Sequence, residues 1–262
     1  MDLDNTTQLH NRRPNSERID RLGWLVIFML TAVAFVMRFY RLDSLPPGLF
    51  YDEAFNGMDA WKLAHSPVSQ WPVFLTGNQG REALFHWLMA LLHRVNGLSI
   101  WTVRAVPALC GALLTPALAW LAWEVSPWLG VKNRRSFALW SGTAVLGLLW
   151  SQVFSRYGIR LSLFVLIETL FWASLWRAWA QTDAPIAQSP NHLIASYGWW
   201  ALAGLFAGLS FYTYLPARLL PLVLLPLLIV AFWQERERLL AHLPGMAVGL
   251  ALAVLVAAPI GI

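Results

Sequence analysis

The feature that most constrains this chain is a succession of apolar runs, each about twenty residues long and separated by short charged or Pro/Gly-rich breaks. At 1.5 Å per residue, a helix of that length crosses a hydrocarbon core of roughly 30 Å. Backbone in hydrocarbon must satisfy its own hydrogen bonds, so these runs read as transmembrane helices. Composition agrees: of 262 residues 58% are hydrophobic and 13% charged, about half the charged share of soluble domains. A water-soluble globule is excluded, as are disordered, collagen-like and disulfide-built chains. Many of the 16 tryptophans, including Trp24, Trp101, Trp123, Trp150, Trp176, Trp199 and Trp233, lie near the ends of runs, where the indole favours the membrane interface. The single cysteine, Cys110, sits inside an apolar run and can form no internal disulfide. Much of the net charge of +5 lies in loops at span ends, where it sets orientation. No nucleic-acid motif accompanies it.

The first span is read at 22–40, after a polar segment 1–21 that carries Arg12, Arg13, Arg18 and Arg21 and has no cleavage site behind it. The N-terminus is therefore expected in the cytoplasm. A large extracytoplasmic loop, 41–100, follows. Within it 52–65 forms a helix after Pro46-Pro47-Gly48, with Phe55, Met58 and Trp61 along one side. Residues 83–96 would be a helix of about 21 Å, too short to cross. Parity makes it a second in-plane helix, because counting it as a span would put Lys132, Arg134 and Arg135 outside. The remaining spans fall at 101–124, 137–154, 161–180, 197–213, 215–233 and 243–262. The expected fold is all-α: seven transmembrane and two juxtamembrane helices. This order places Arg177, Arg236 and Arg238 on the inner side, with the N-terminal arginines. The chain stops without a polar tail after its last apolar run, as a fragment of a longer protein would.

Arg104, Arg156, Arg160 and Arg218 fall on the outer side, against the orientation bias. A guanidinium in a bilayer costs a few kcal/mol, so several together suggest an anionic ligand, with phosphate the best fit through bidentate hydrogen bonds. Snorkelling accounts for any one of them alone. The adjacent acids Asp52 and Glu53 follow a proline-stiffened segment ending at Tyr51. They read either as a placed acid pair or as a helix N-cap with a first-turn carboxylate. Arg81 and Glu82 open the second in-plane helix. Glu168, mid-span, faces the same side as Arg160 and reads as an internal partner. His65 and His86 could reach a metal with Asp52 or Glu82, although the spacing matches no ligand motif. A divalent metal therefore stays open, and no other cofactor is called for.

The run from Arg38 to Ala54, containing Leu45-Pro46-Pro47-Gly48-Leu49-Phe50-Tyr51-Asp52-Glu53, resembles the first outer loop of the GT-C membrane glycosyltransferases. Within them it is similar to the branch of dolichyl-phosphate-mannose protein mannosyltransferases and bacterial aminoarabinose transferases. The likeness continues through Gly80-Arg81-Glu82, Val103-Arg104-Ala105, Ser155-Arg156-Tyr157-Gly158-Ile159-Arg160 and Tyr212-Thr213-Tyr214-Leu215-Pro216-Ala217-Arg218. It implies a seven-span module with two juxtamembrane helices, in a bacterial plasma membrane, with a polyprenyl-phosphate sugar donor bound from the extracytoplasmic side. It implies Asp52 as the catalytic carboxylate, Glu53 as its neighbour in the motif and Arg81 in the place of a phosphate-contacting base. Arg104, Arg156, Arg160 and Arg218 complete the expected phosphate set, and Tyr51, Glu82, His86 and Tyr214 line the same region. Ala83 departs from a common proline. The expected reaction is inverting transfer to an extracytoplasmic protein, lipid or glycan. The alternatives are a non-catalytic transporter or scramblase of lipid-linked sugars, and a structural membrane partner subunit.

Overall fold

The computed structural model describes residues 21–77, 80–181 and 190–260, with backbone alone at 190–195. Of the expected cytoplasmic segment 1–21, residues 1–20 lie outside these. The chain is an all-helical polytopic membrane protein. Helix α1 (Arg21–Phe39) is followed by α2 (Tyr51–Ala64), a two-residue hairpin β1 (Phe74–Leu75) and β2 (Arg81–Glu82), and α3 (Leu84–Asn96). Then come α4 (Ile100–Val125), α5 (Arg134–Gly147), α6 (Leu149–Arg156), α7 (Leu161–Ala180), α8 (Pro190–Ser210), α9 (Leu220–Gln234) and α10 (Arg236–Ala257). Five helices among the described residues are long and apolar enough to cross a membrane: α1, α4, α7, α9 with its preceding 3-10 turn, and α10. The 21-residue α8 packs between α7 and α10.

Helix α4 is the axis of the bundle. It packs against α1, α5, α6 and α7 and also carries the juxtamembrane α2 and α3. Its buried side is built from small residues, Ala105, Ala108, Gly111, Ala112 and Ala119, which let neighbouring backbones come close without a hydrophobic drive from lipid. One apolar cluster joins Ala60 and Leu63 of α2, Phe85 and Met89 of α3, Val103 and Val106 of α4, and Leu163 and Ile167 of α7. That cluster is what fixes the in-plane helices on top of the bundle. The α8–α10 seam is closer still: a Cβ at Gly204 would lie 2.0 Å from the Gly249 carbonyl oxygen. The outward sides of α1 and α9 are apolar and exposed, as lipid-facing surface is, with Phe28, Val36, Leu222 and Trp233 among them.

Two expectations are corrected here. The span expected at 137–154 is broken at Leu148 into α5 and α6, which meet at 59°. Carbonyls freed by the break are taken by side chains: Gln152 donates to Leu146 O at 2.7 Å and Arg38 to Val145 O at 3.4 Å. Arg38 also donates to Ser151 Oγ at 3.0 Å, and Gly111 leaves room for it, since a Cβ there would come 2.7 Å from Arg38 Nε. The last span begins at Arg236 rather than 243, because Pro244 is accommodated inside α10 without ending the helix.

Candidate functional site

Helix α2 starts at Tyr51, with Phe50 as its cap residue. Asp52 is therefore a first-turn residue and not the N-cap. The cap bond comes instead from Glu53, whose Oε2 accepts from the Phe50 N–H at 2.9 Å. Glu53 has no exposed surface. Its Oε1 accepts from Arg104 Nε at 2.8 Å and from the Gly158 N–H at 2.7 Å, and its Oε2 from Arg104 Nη2 at 3.1 Å. Gly158 reaches it because it has no side chain: a Cβ would come 2.5 Å from Val103 Cγ1. With four donors on two oxygens, Glu53, expected with Asp52 as one of a catalytic acid pair, is engaged as a brace. Asp52 is partly exposed and its charge acts on Arg160.

The five arginines expected on the outer side separate into two groups. Arg104 is fully buried, and besides Glu53 it donates to the carbonyls of Leu42 (3.3 Å), Pro46 (2.8 Å) and Gly48. All five of its N–H groups are occupied. Arg156 closes the C-terminus of α1, donating to Met37 O (2.8 Å), Arg38 O (3.0 Å), Tyr40 O (2.7 Å) and Leu45 O (2.8 Å). Helix ends leave carbonyls without partners, and here an arginine from another helix supplies them. Arg104 thus has all its N–H groups on protein acceptors and Arg156 has both Nη atoms on carbonyls, so neither is placed as expected of an open phosphate ligand.

Arg160 and Arg218 behave differently. Both are held loosely on the buried Glu82, at 3.7 Å from Oε2 and 3.8 Å from Oε1. Arg160 lies 5.1 Å over the Tyr214 ring, with its Nε unpartnered. Its pKa is lowered, chiefly by burial, against the opposing charge of Glu82. Arg218 is half exposed, on the 3-10 turn Leu215–Leu219 that Pro216 starts. Arg81 adjoins them but is buried: Asn56, Asp59 and the Gly77 carbonyl (3.4 Å) take its N–H groups, and its guanidinium lies 4.8 Å over Phe55. His86 Nε2 is 3.1 Å from Asn56 Oδ1 and 3.3 Å from Arg81 Nη1, and its Nδ1 is 3.3 Å from Glu82 O. Burial, and then the Arg81 charge, push its pKa down to about 3.

The residues considered as metal ligands are not gathered into one group among the described residues. His65 bonds the Trp61 carbonyl at the far end of α2 from Asp52, and His86 is already engaged. Among the described residues no group of three or more His, Cys, Asp or Glu is placed to hold a metal. Glu168 leaves Oε1 without a hydrogen-bond partner rather than pairing with Arg160. Tyr51 points outward and contacts Phe55.

With this arrangement in hand, the chain can be set beside known proteins. It superposes on the crystal structure of ArnT from Cupriavidus metallidurans, solved bound to undecaprenyl phosphate, with a TM-score of 0.65 and 20% sequence identity. The match covers 92% of this chain and 41% of that one, so this chain spans about two fifths of its length. The fold is GT-C-like. No protein-family model matches, and no curated protein does so significantly.

Within this GT-C-like fold the sequence reading missed Asn56 and Asp59. Asn56 Nδ2 donates to Gly158 O at 2.9 Å while its Oδ1 accepts from Arg81, so it ties the hairpin to the 157–160 turn. The signal was present: positions 52, 56 and 59 share one face of a helix, and all three are polar.

Proposed function

We propose that this chain is a membrane glycosyltransferase module that moves a sugar from a polyprenyl phosphate to an acceptor on the extracytoplasmic side of a bacterial plasma membrane. The observation that carries this reading is the pair Arg160 and Arg218, both held loosely on the one carboxylate of Glu82 while the Asp52 charge acts on Arg160. The solved ArnT, similar in fold, was crystallised with a polyprenyl phosphate. A phosphate entering beside Glu82 would draw both guanidiniums onto its oxygens, where charge-assisted bonds are strong. The acceptor hydroxyl attacks the anomeric carbon from the face opposite the phosphate. Its O–H proton passes to Asp52 as the bond to the phosphate oxygen breaks. The lipid phosphate leaves with both electrons of that bond, its charge held by Arg160 and Arg218. One base and no covalent intermediate give inversion.

The test is transfer of labelled sugar from a polyprenyl-phosphate donor by the purified chain in liposomes, with donor binding followed on the same samples. Asp52→Asn should leave donor binding in place and lower turnover by a factor on the order of 10² or more. Normal turnover in that variant sinks the base assignment. Normal donor binding in Arg160→Gln with Arg218→Gln sinks the phosphate site.

A further inference from the structure

The rim opposite Asp52 repeats the construction of the Glu82 site with other residues. Glu124, one residue before the end of α4, is buried. Arg177 Nη1 lies 3.5 Å from Glu124 Oε1, and Trp120 Nε1 donates to the same oxygen at 3.0 Å. Arg134 also acts on this carboxylate by its charge, lies 4.5 Å over the Trp123 ring and donates to Trp123 O at 3.2 Å. The Arg177 guanidinium lies 5.7 Å over Trp199, and the side chain as a whole is 40% exposed. Its partners among the described residues are Glu124 and that ring, which leaves most of its N–H groups without a protein acceptor there.

We propose that this second station binds the headgroup phosphate of an anionic phospholipid in the leaflet away from Asp52. The Trp199 ring seats Arg177 at the end of a membrane-length helix, which is headgroup depth, and Glu124 is a competing acceptor for its N–H groups. A guanidinium edge so oriented is matched to phosphate oxygens. The tryptophans that wall the station favour a lipid over a soluble anion, because the indole sits between headgroup and chain. Exposed Lys132 adds positive potential to the approach. This inference does not depend on the transferase reading.

The experiment is native mass spectrometry of the purified chain released from nanodiscs holding equal parts phosphatidylcholine and phosphatidylglycerol. Phosphatidylglycerol should be retained in preference, and Arg177→Gln should cut that retention about tenfold, the worth of one charged hydrogen-bonded contact. Lys132→Gln removes the same charge from the same rim without an aromatic seat, and should change retention little. Glu124→Gln removes the carboxylate that competes for Arg177 and should raise retention, which keeps the test decisive if Arg177→Gln fails to fold. Four results overturn the proposal: equal retention of the two lipids; equal losses in Arg177→Gln and Lys132→Gln; unchanged or lower retention in Glu124→Gln; and displacement by soluble glycerol phosphate, which would mark a free-anion site.

Discussion

A carboxylate without exposed surface is stable only while its partners stay in place, and Glu53 has four of them from three separate segments. Removing its charge leaves Arg104 buried among carbonyls with no counter-ion. Glu53→Gln should therefore cost about 3–5 kcal/mol, the usual penalty for breaking a buried pair, visible as a large drop in melting temperature in detergent. Arg218→Gln should leave that temperature nearly unchanged, since the residue is half exposed and its contact with Glu82 is long. A similar loss in both variants would mean that Arg218 is structural and not a free ligand group. Asp52→Asn should also melt nearly normally, because the helix start is capped by Glu53 and the first-turn charge removed is worth about 0.3–1 kcal/mol.

At the scale of elements, the juxtamembrane layer depends on two neutral histidines. Burial lowers the pKa of His86 to about 3 and lowers that of His93, which packs edge-on to Trp61. Both lie below the ordinary 6.5, so the folded layer binds fewer protons than the unfolded chain. Its stability is fully present above about pH 6.5 and falls as pH drops, by up to about 1.4 kcal/mol per unit for each histidine until that histidine's own lowered pKa is reached, which for His86 is about 3. Hydrogen exchange should show α2 and α3 losing protection between about pH 7 and about pH 5, and His86→Gln should flatten the response. Protection independent of pH would contradict the neutral assignment. The α8–α10 seam makes a separate prediction. Gly204→Val drives a side chain into the Gly249 carbonyl and should cost about 1–3 kcal/mol, whereas Gly198→Val, with open space around it, should be silent in the same melting assay.

For the whole molecule, the arrangement puts two arginine-rich rims at opposite ends of α4, with Glu82 at one and Glu124 at the other. The expected orientation places the Glu82 rim outside. A cysteine at the exposed Asn96 should react with an impermeant maleimide added to intact cells, and one at the exposed Asn133 should not. The native Cys110 is buried and should contribute no background. Labelling at Asn133 alone would invert the molecule and move the proposed reaction to the cytoplasmic side.

The membrane class, the positions of α1, α4 and α7 and the two short in-plane helices follow from the sequence by itself, because run length, helical period and Pro/Gly breaks act over a few residues. The outer arginines and the acid pair are likewise visible as a set. What separates them is tertiary. Arg104 is consumed by carbonyls 56 to 62 residues away and Arg156 by carbonyls 111 to 119 residues away, and no local pattern announces an acceptor at that distance. The break at Leu148 is stabilised in part by Arg38, 107 residues from the carbonyl it caps. A guanidinium looks the same in sequence whether its donors are filled or free. Only the folded backbone, by bringing or withholding carbonyl oxygens, leaves Arg160 and Arg218 loosely held on Glu82, with the Asp52 charge acting on Arg160.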